Sequence, residues 1–217
     1  MKQLKEALTA NFEGDGYEEI GRMCLAAPKY GNDDDYVDSI ARKWYELFWE
    51  INREIPDFLG RPLKPEAFSV AVHSGRGRLT GALPRVRPAQ IALTDSSFSA
   101  YPCTYKNGPT ALVRSAATAI DSVKYGSNHF NMKFHPSALE GREGARKLLA
   151  LIKTYMDSGG YHIQFNCVSS ETLKDAQLHP EKYRDLVVRV AGFSAFFIHL
   201  DRETQDEIIK RTEIRFD

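Results

Sequence analysis

Apolar residues recur at helical spacing in the first third of the chain, from about residue 38 to residue 55. This spacing predicts one amphipathic helix, which Pro56 ends because proline cannot continue the backbone hydrogen bonding of a helix. The polar segment 28–35 in front of it ends in aspartates, which suit a helix N-terminus, and we interpret it as a capping loop. The apolar positions of this stripe are Ile40, Trp44, Leu47, Phe48 and Ile51.

A different pattern begins after residue 67. The segment Phe68–Val72 alternates as a strand does, and a loop rich in glycine, proline and arginine follows from Gly75 to Asp95. We place a domain boundary near residue 94. The arginines of this loop either face a carboxylate or a partner protein, or they lie in solvent; they are Arg76, Arg78, Arg85 and Arg87.

Helical and strand patterns alternate through the rest of the chain. Pro109 opens a predicted helix, because proline fits the first helical position, and a helix over Glu143–Met156 ends at the glycine pair 159–160. Alternating helices and strands with short connections indicate an α/β fold. The other predicted elements are strands over Phe130–Phe134, Tyr161–Val168 and Leu186–Val190, and helices over Glu171–Leu178 and Arg202–Thr212.

The predicted strand Tyr161–Val168 has one markedly polar side. Successive side chains of a strand point to opposite faces, so His162, Gln164 and Asn166 share a face. The spacing alone leaves three alternatives open: this face lines a pocket, it faces water, or it lies against a missing partner.

The charge balance of the chain excludes some classes of function. Lys plus Arg and Asp plus Glu both number 29, which argues against nucleic-acid binding, since that function usually requires a basic excess. We expect no membrane span, because apolar runs are short, and a cytoplasmic location, because the first residues are polar. The three cysteines lack a CxxC spacing, so reduced thiols are expected, without a disulfide framework or a metal site.

Gly192 directly follows a strand-like run and precedes further apolar residues. Glycine weakens a strand and usually marks a bend, a bulge or a close approach of backbones. The local sequence therefore indicates a buried turn glycine. The glycine pairs at 75–77 and 141–144 complete no phosphate-binding motif and are interpreted as turns.

Several motifs occur in order along nearly the whole chain and end around Gly192. They are Pro28–Asp33, Gly108–Ala111, Asn131–Pro136, His162–Asn166, Arg189–Ala195, Gln205–Ile209 and Arg211–Glu213. Together they resemble the C-terminal signature of the glycyl radical enzymes, the pyruvate formate-lyase superfamily. The resemblance is closer to the dehydratase, lyase and decarboxylase branches than to pyruvate formate-lyase itself.

This resemblance implies a fold and a radical site. The fold is α/β, the C-terminal part of a ten-stranded α/β barrel of the glycyl radical enzyme type, with a buried glycine loop. Residues 1–93 correspond to the C-terminal end of the pyruvate formate-lyase-like barrel domain, and residues 94–217 to the glycine radical domain. Gly192 carries a protein-derived glycyl radical, with no bound cofactor and no metal. Apolar neighbours are expected to shield it from water and oxygen: Val188, Val190, Phe193, Phe196 and Phe197.

The resemblance also implies partners. A separate radical-activating enzyme, which uses S-adenosylmethionine and an iron–sulfur cluster, installs the radical. The radical then passes to a cysteine, and the thiyl radical abstracts a hydrogen from a small-molecule substrate. The family's cysteine has a glutamate two positions later, and none of Cys24, Cys103 and Cys167 does. The thiyl cysteine is therefore expected on the remainder of the barrel, outside this chain.

The implied enzyme is a lyase or dehydratase, with formate acetyltransferase-like activity as another option, and the chain is not expected to be competent alone. Its full-length form is expected to be a homodimer, and His162, Gln164 and Asn166 are candidate substrate-pocket residues. Two alternatives stay open. In the first, the chain is a stand-alone, non-catalytic module that replaces a damaged radical domain. In the second, it is an inert truncation.

Overall fold

A computed structural model describes residues 1–84, 87–126 and 128–216. The chain forms two compact units, one from Met1–Pro28 with Ala71–Leu93, the other from Lys29–Val70 with Thr94–Asp217. Segment 29–70 thus packs with the C-terminal half of the chain. The division into a barrel end over 1–93 and a glycine radical domain over 94–217 stays a prediction.

The first unit is built from three short helices, α1 (Lys2–Thr9), α2 (Tyr17–Ala26) and α4 (Val72–Arg78). The strand predicted over Phe68–Val72 is wrong. Val70 has a φ of +49°, which interrupts an extended backbone, and α4 begins two residues later. The loop predicted from Gly75 therefore starts as a helix.

The arginine cluster of this unit does not share one environment. Arg76 and Arg78 are exposed, whereas Arg87 is 1% exposed and donates to the carbonyls of Ile91, Thr80 (3.2 Å) and Gly81 (2.6 Å). A guanidinium can donate to several carbonyl groups at once, so the buried Arg87 side chain ties Thr80 and Gly81 to Ile91. Arg85 lies outside the described residues.

Helix α3 (Asp35–Arg53) opens the second unit, and its cap confirms the interpretation of the preceding segment. The Asp34 carboxylate accepts hydrogen bonds from the backbone N–H groups of Tyr36 (3.0 Å) and Val37 (3.4 Å). Tyr45 and Trp49 pack against the core of this unit. The apolar stripe predicted from the sequence lies on another side of the helix and is exposed: Ile40, Trp44, Leu47, Phe48 and Ile51.

A three-stranded parallel sheet forms the centre of the second unit. Strand β1 (Phe130–Phe134), predicted with these bounds, lies between β2 (Ile163–Asn166) and β5 (Glu213–Ile214). Helices α5 (Gly108–Ala119) and α6 (Gly141–Asp157) pack together beside it. The buried side chains of this core include Phe98, Leu112, Val113, Phe130, Phe134, Leu151 and Tyr155.

A second, smaller core surrounds an antiparallel hairpin of β3 (Val187–Arg189) and β4 (Ser194–Phe196). Helices α7 (Ser170–Leu178) and α8 (Arg202–Lys210) pack on it. Its buried side chains are Leu173, Ala176, Val188, Val190, Phe197 and Ile208.

The described residues thus contain five strands, in a parallel sheet and a hairpin with helices packed beside them, which agrees with the predicted α/β fold. Single 3₁₀ turns occur at Pro136–Leu139, Pro180–Lys182 and Phe197–His199. Among the helices of the described residues, none is both long enough and apolar enough to cross a membrane.

Candidate functional site

Gly192 lies in the loop that joins β3 to β4, and two features of its surroundings require glycine. Its φ is +89°, a left-handed conformation that L-residues with side chains rarely adopt. A Cβ atom built on Gly192 would lie 2.8 Å from Cε1 and 3.0 Å from Nδ1 of His129. The loop is closed by a 2.9 Å hydrogen bond from the Val190 N–H to the Phe193 carbonyl. Any side chain at position 192 would therefore strain the backbone and collide with an imidazole.

Arg189 holds this loop from the side of the hairpin. Its guanidinium donates through Nε to the Gln164 side-chain oxygen, through Nη1 to Ser194 Oγ (3.0 Å) and through Nη2 to the Gly192 carbonyl (3.3 Å). The fork of donors in arginine is planar and rigid, so these three acceptors fix the carbonyl of Gly192 relative to β2.

The polar side of β2 receives the hairpin. The Asn166 amide donates to the Arg189 carbonyl (2.7 Å) and accepts from the Arg189 N–H (3.0 Å), which reproduces the pairing of a neighbouring strand. Gln164 and Asn166 are both buried. His162 lies directly before β2 and its ring contacts Gln164, so the three side chains fall on the same side, as the alternation predicts. In the described structure the chain's own hairpin, anchored by Arg189, lies on this face. The assignment of these three residues to a substrate pocket stays a prediction.

Two histidine rings pack against each other, and one of them, His129, faces Gly192. The His129 and His162 centroids are 4.9 Å apart, and His162 Nε2 lies 3.0 Å from the Gln164 side-chain nitrogen. Burial lowers the pKa of both imidazoles. The pKa of His162 is lowered further by His129 and then by Arg189. The pKa of His129 is also lowered by Arg189, while Glu66 raises it. Both rings are therefore neutral near pH 7.

Arg211 supports the hairpin from behind. It is buried, donates 3.1 Å to the Arg189 carbonyl, and forms ion pairs with Asp95 (3.2 Å) and Glu207 (2.6 Å). Burial alone would lower its pKa, and the two carboxylates outweigh burial and raise it. A buried charge is tolerated when it is paired in this way.

The predicted burial of the glycine loop is only partly correct. Val188, Val190 and Phe197 are buried, but Phe193 and Phe196 are 40% and 43% exposed, and Gly192 itself is half-buried. A side chain on Gly192 would point at His129, whereas Phe193 and Phe196 are partly exposed. Within this chain the predicted apolar shield around Gly192 is therefore incomplete.

Sequence reasoning did not single out His129. It lies directly in front of β1, far from Gly192 along the chain, and no spacing links the two. Only the pairing of β1 with β2, and of the hairpin with β2, brings them together.

One cluster of the described residues has donor atoms at metal-binding separation. His135, Glu171 and Glu213 place one such atom each within 4.8 Å of one another. Two of these groups already have partners: Glu213 pairs with Lys133 at 3.2 Å, and His135 Nδ1 accepts from the Ser137 N–H at 3.2 Å. The ammonium group of Lys133 supplies the positive charge that a cation would bring.

Two of the cysteines, Cys103 and Cys167, are exposed, and neither appears among the atoms nearest to Gly192. The Cys103 N–H donates to Thr212 Oγ1 (2.9 Å), which ties its loop to the segment after α8. Neither cysteine has a glutamate two positions later.

Two family models match the chain. Residues 95–198 match the model described as Glycine radical, and residues 1–77 match the model described as Pyruvate formate lyase-like. Together they include the hairpin and most of the helices in front of it.

Similar proteins are several times longer. The chain is 45% identical over 197 residues to the indoleacetate decarboxylase of Tractidigestivibacter scatoligenes, covering 91% of this chain and 22% of that protein. It is 41% identical to the isethionate sulfite-lyase of Nitratidesulfovibrio vulgaris, covering 98% and 26%. The solved B12-independent glycerol dehydratase of Clostridium butyricum superposes with a TM-score of 0.93 at 38% identity, covering 99% and 27%. The chain thus spans about a quarter of the length of the proteins it matches.

Proposed function

Because this chain belongs to the glycyl radical enzyme family, we propose that Gly192 is the residue on which the radical is stored. The observation that carries the proposal is the geometry of Gly192, where both the positive φ and the contact with His129 exclude a side chain. Its carbonyl is held by Arg189, so the Cα atom has a fixed orientation.

The chemistry explains why a glycine is required. Homolytic removal of one Cα hydrogen leaves one electron on a carbon that prefers to be planar. The amide nitrogen donates electron density to this carbon and the carbonyl withdraws it, which stabilises the radical. A side chain would clash with the flanking carbonyls in the planar geometry, and glycine has none. The hydrogen atom would be taken up by a radical that a separate activating enzyme generates with its S-adenosylmethionine and iron–sulfur cluster.

We further propose that the radical passes to a cysteine outside this chain. The cysteine S–H bond breaks, its hydrogen atom restores the Gly192 Cα–H bond, and the electron stays on sulfur as a thiyl radical. The thiyl radical then takes a hydrogen atom from the substrate. Each transfer needs the reacting atoms within about 3–3.5 Å. The absence of a Cys-x-Glu motif from this sequence and the greater length of the relatives support this division.

The reaction is proposed to be of the lyase type, on a small polar or carboxylated substrate. The relatives named above include a decarboxylase, a sulfite-lyase and a dehydratase, which supports this class over acetyl transfer. The activating enzyme, a homodimeric full-length form and a cytoplasmic location belong to the same proposal.

Electron paramagnetic resonance tests the storage site. After anaerobic activation the protein should give a doublet, which should collapse toward a singlet when its glycines carry deuterium at Cα. Exposure to oxygen should then cleave the chain at Gly192 and release a fragment of residues 192–217. A radical-bearing sample that stays intact in oxygen would contradict the assignment.

A matched glycine variant separates loss of the radical from backbone strain. Gly60 also has a left-handed φ, +77°, but a Cβ there meets nothing within 4 Å. We expect Gly192→Ala to abolish the doublet and Gly60→Ala to keep it.

The neighbouring coding sequence separates the two alternatives from this proposal. An adjoining reading frame with a barrel and a Cys-x-Glu motif supports an enzyme part, whereas its absence favours the replacement module. A replacement module should also restore activity to an oxygen-cleaved relative when added to it, and an inert truncation should do neither.

A further inference from the structure

The guanidinium of Arg189 carries a positive charge that is not neutralised by an ion pair within the described part of the chain. Its three hydrogen bonds end on the side chains of Gln164 and Ser194 and on the carbonyl of Gly192, all of which are neutral. The neighbouring Arg211 differs, since it is paired with two carboxylates. Because a cation among neutral acceptors keeps its electric field, the Gly192 carbonyl lies in the field of a full positive charge.

The effect of this charge extends to the imidazoles around Gly192. Arg189 lowers the pKa of both His129 and His162, and Glu66 opposes it only at His129, as a weaker influence. Both rings are neutral near pH 7, so they add no competing charge. Arg189 is therefore the charged group that donates directly to the peptide unit of Gly192.

The electronic structure of a glycyl radical makes its carbonyl oxygen sensitive to such a charge. In one resonance form the unpaired electron lies on Cα. In another, the amide nitrogen has passed electron density across Cα to the carbonyl, so that the nitrogen holds the unpaired electron and the oxygen is negative. A charged donor on that oxygen stabilises the second form. The parent glycine has no such form, because its tetrahedral Cα interrupts the conjugation, so the donor stabilises the radical more than the glycine.

We propose that Arg189 stabilises the stored radical electronically, by drawing unpaired electron density from the Gly192 Cα through the carbonyl oxygen. This inference rests on the proposed radical at Gly192. The hydrogen bond from Nη2 to the carbonyl oxygen, at 3.3 Å, is the contact through which Arg189 acts. Its bonds to Gln164 and Ser194 hold the guanidinium in place for this role.

The width of the doublet in electron paramagnetic resonance tests the proposal, because the splitting comes from the one hydrogen left on Cα and measures the unpaired electron density there. Arg189→Met removes the charge and the donors, and it should give a wider doublet. With ¹⁵N-labelled arginine, pulsed measurements should detect a weak coupling to a guanidinium nitrogen in the wild type and lose it in Arg189→Met. Arg202→Gln removes an exposed arginine from α8 and should keep both the width and the coupling.

A matched pair of variants at Ser194 changes the charge and leaves Arg189 in place. Ser194 is exposed and accepts from Arg189 Nη1 at 3.0 Å, so Ser194→Asp should set a carboxylate against the guanidinium and weaken its field at the carbonyl. Ser194→Asn offers a neutral acceptor of the same shape. The doublet should be wider in Ser194→Asp than in Ser194→Asn. Equal widths would overturn the proposal, and this pair alone decides if Arg189→Met takes up no radical.

The hydrogen bond can be tested without any radical. Gly192–Phe193 is the only Gly-Phe pair in the sequence, so glycine labelled with ¹³C at its carbonyl and phenylalanine labelled with ¹⁵N give a single correlated signal in nuclear magnetic resonance. Its ¹³C shift should move upfield in Arg189→Met, and an unchanged shift would refute the hydrogen bond. A wild type that takes up no radical but shows this shift would refute the stored radical and its electronic stabilisation, while the hydrogen bond would stand.

Discussion

At the scale of single residues, Arg189 is the side chain on which the orientation of Gly192 depends most. It contacts three acceptors that belong to β2, to β4 and to the loop. Arg189→Lys keeps the charge but offers a point donor in place of a planar fork. We expect it to lower the free energy of unfolding by about 1–3 kcal/mol, since the buried Gln164 oxygen and the half-buried Gly192 carbonyl lose their donor. Amide hydrogen exchange at 191–193 should also become faster.

Arg202→Lys is the matched control, because Arg202 forms an exposed ion pair with Asp206 on α8. Exposed pairs of this kind contribute about 0.2–1 kcal/mol, and lysine retains the charge, so little change is expected. Unchanged exchange at 191–193 in Arg189→Lys would show that Arg189 does not hold the loop.

The two histidines make the stability of this region depend on pH. Their pKa values in the folded protein lie below the ordinary value of 6.5, chiefly because of burial. The unfolded chain therefore binds more protons, and the contribution to stability is fully present above about pH 6.5 and is lost as the pH falls from there toward the folded pKa values. Denaturant unfolding between about pH 7.5 and 5 should show a shallower pH dependence for His129→Phe than for the wild type. Equal slopes would contradict this, and Lys153→Gln, an exposed change on α6, should keep the wild-type slope.

At the scale of elements, one buried ion pair joins β1 to β5 and to both helices of the smaller core. Lys133 on β1 lies 3.2 Å from Glu213 on β5 and donates to Ser170 Oγ (2.8 Å) and to the carbonyls of Ile208 and Ile209 (both 3.3 Å). Burial lowers the pKa of Lys133. Burial alone would raise the pKa of Glu213, but hydrogen bonds from Ser170 and Lys133 lower it.

Removing one partner of this pair leaves a buried charge without compensation. We expect Glu213→Gln to cost about 3 kcal/mol, the low end for a broken buried pair, because the ammonium keeps three neutral acceptors. Asp157→Asn, which breaks the exposed pair with Lys153 on α6, should cost under about 1 kcal/mol. Equal costs in urea unfolding would mean that the buried pair does not join these elements.

The sequence predicts elements well where local pattern and packing agree. Strand β1 and helix α6 follow their apolar spacing, and Gly159, at a φ of +98°, ends α6 as expected. The alternation at 68–72 fails because the backbone turns at Val70, and the alternation itself carries no signal of that turn. The contacts of His129 and Arg189 could not be predicted, since they arise from strands that pair across long separations in sequence.

At the scale of the whole molecule, the exposed apolar stripe on α3 is a candidate contact surface. Exposed apolar patches often mark an interaction, and the relatives are about four times as long as this chain. We expect the rest of such a protein to be the occupant. A chimera tests this, in which the chain replaces the matching region of the Clostridium butyricum glycerol dehydratase. Trp44 fluorescence, identified by Trp44→Phe, should be quenched by iodide in the isolated chain and protected in the chimera. Equal quenching in both would contradict this.

The same chimera tests which part of the protein selects the substrate. The identities to the decarboxylase, the sulfite-lyase and the dehydratase are 45%, 41% and 38%, so similarity in this region does not sort by reaction. Arg189 contacts the polar face of β2 through Gln164 and Asn166, and the assignment of this face to a substrate pocket stays a prediction. We therefore expect an activated chimera to dehydrate glycerol and to gain no decarboxylase activity. A chimera with a normal radical yield and a changed substrate would assign selection to this region, whereas one without a radical would point to a misplaced hairpin.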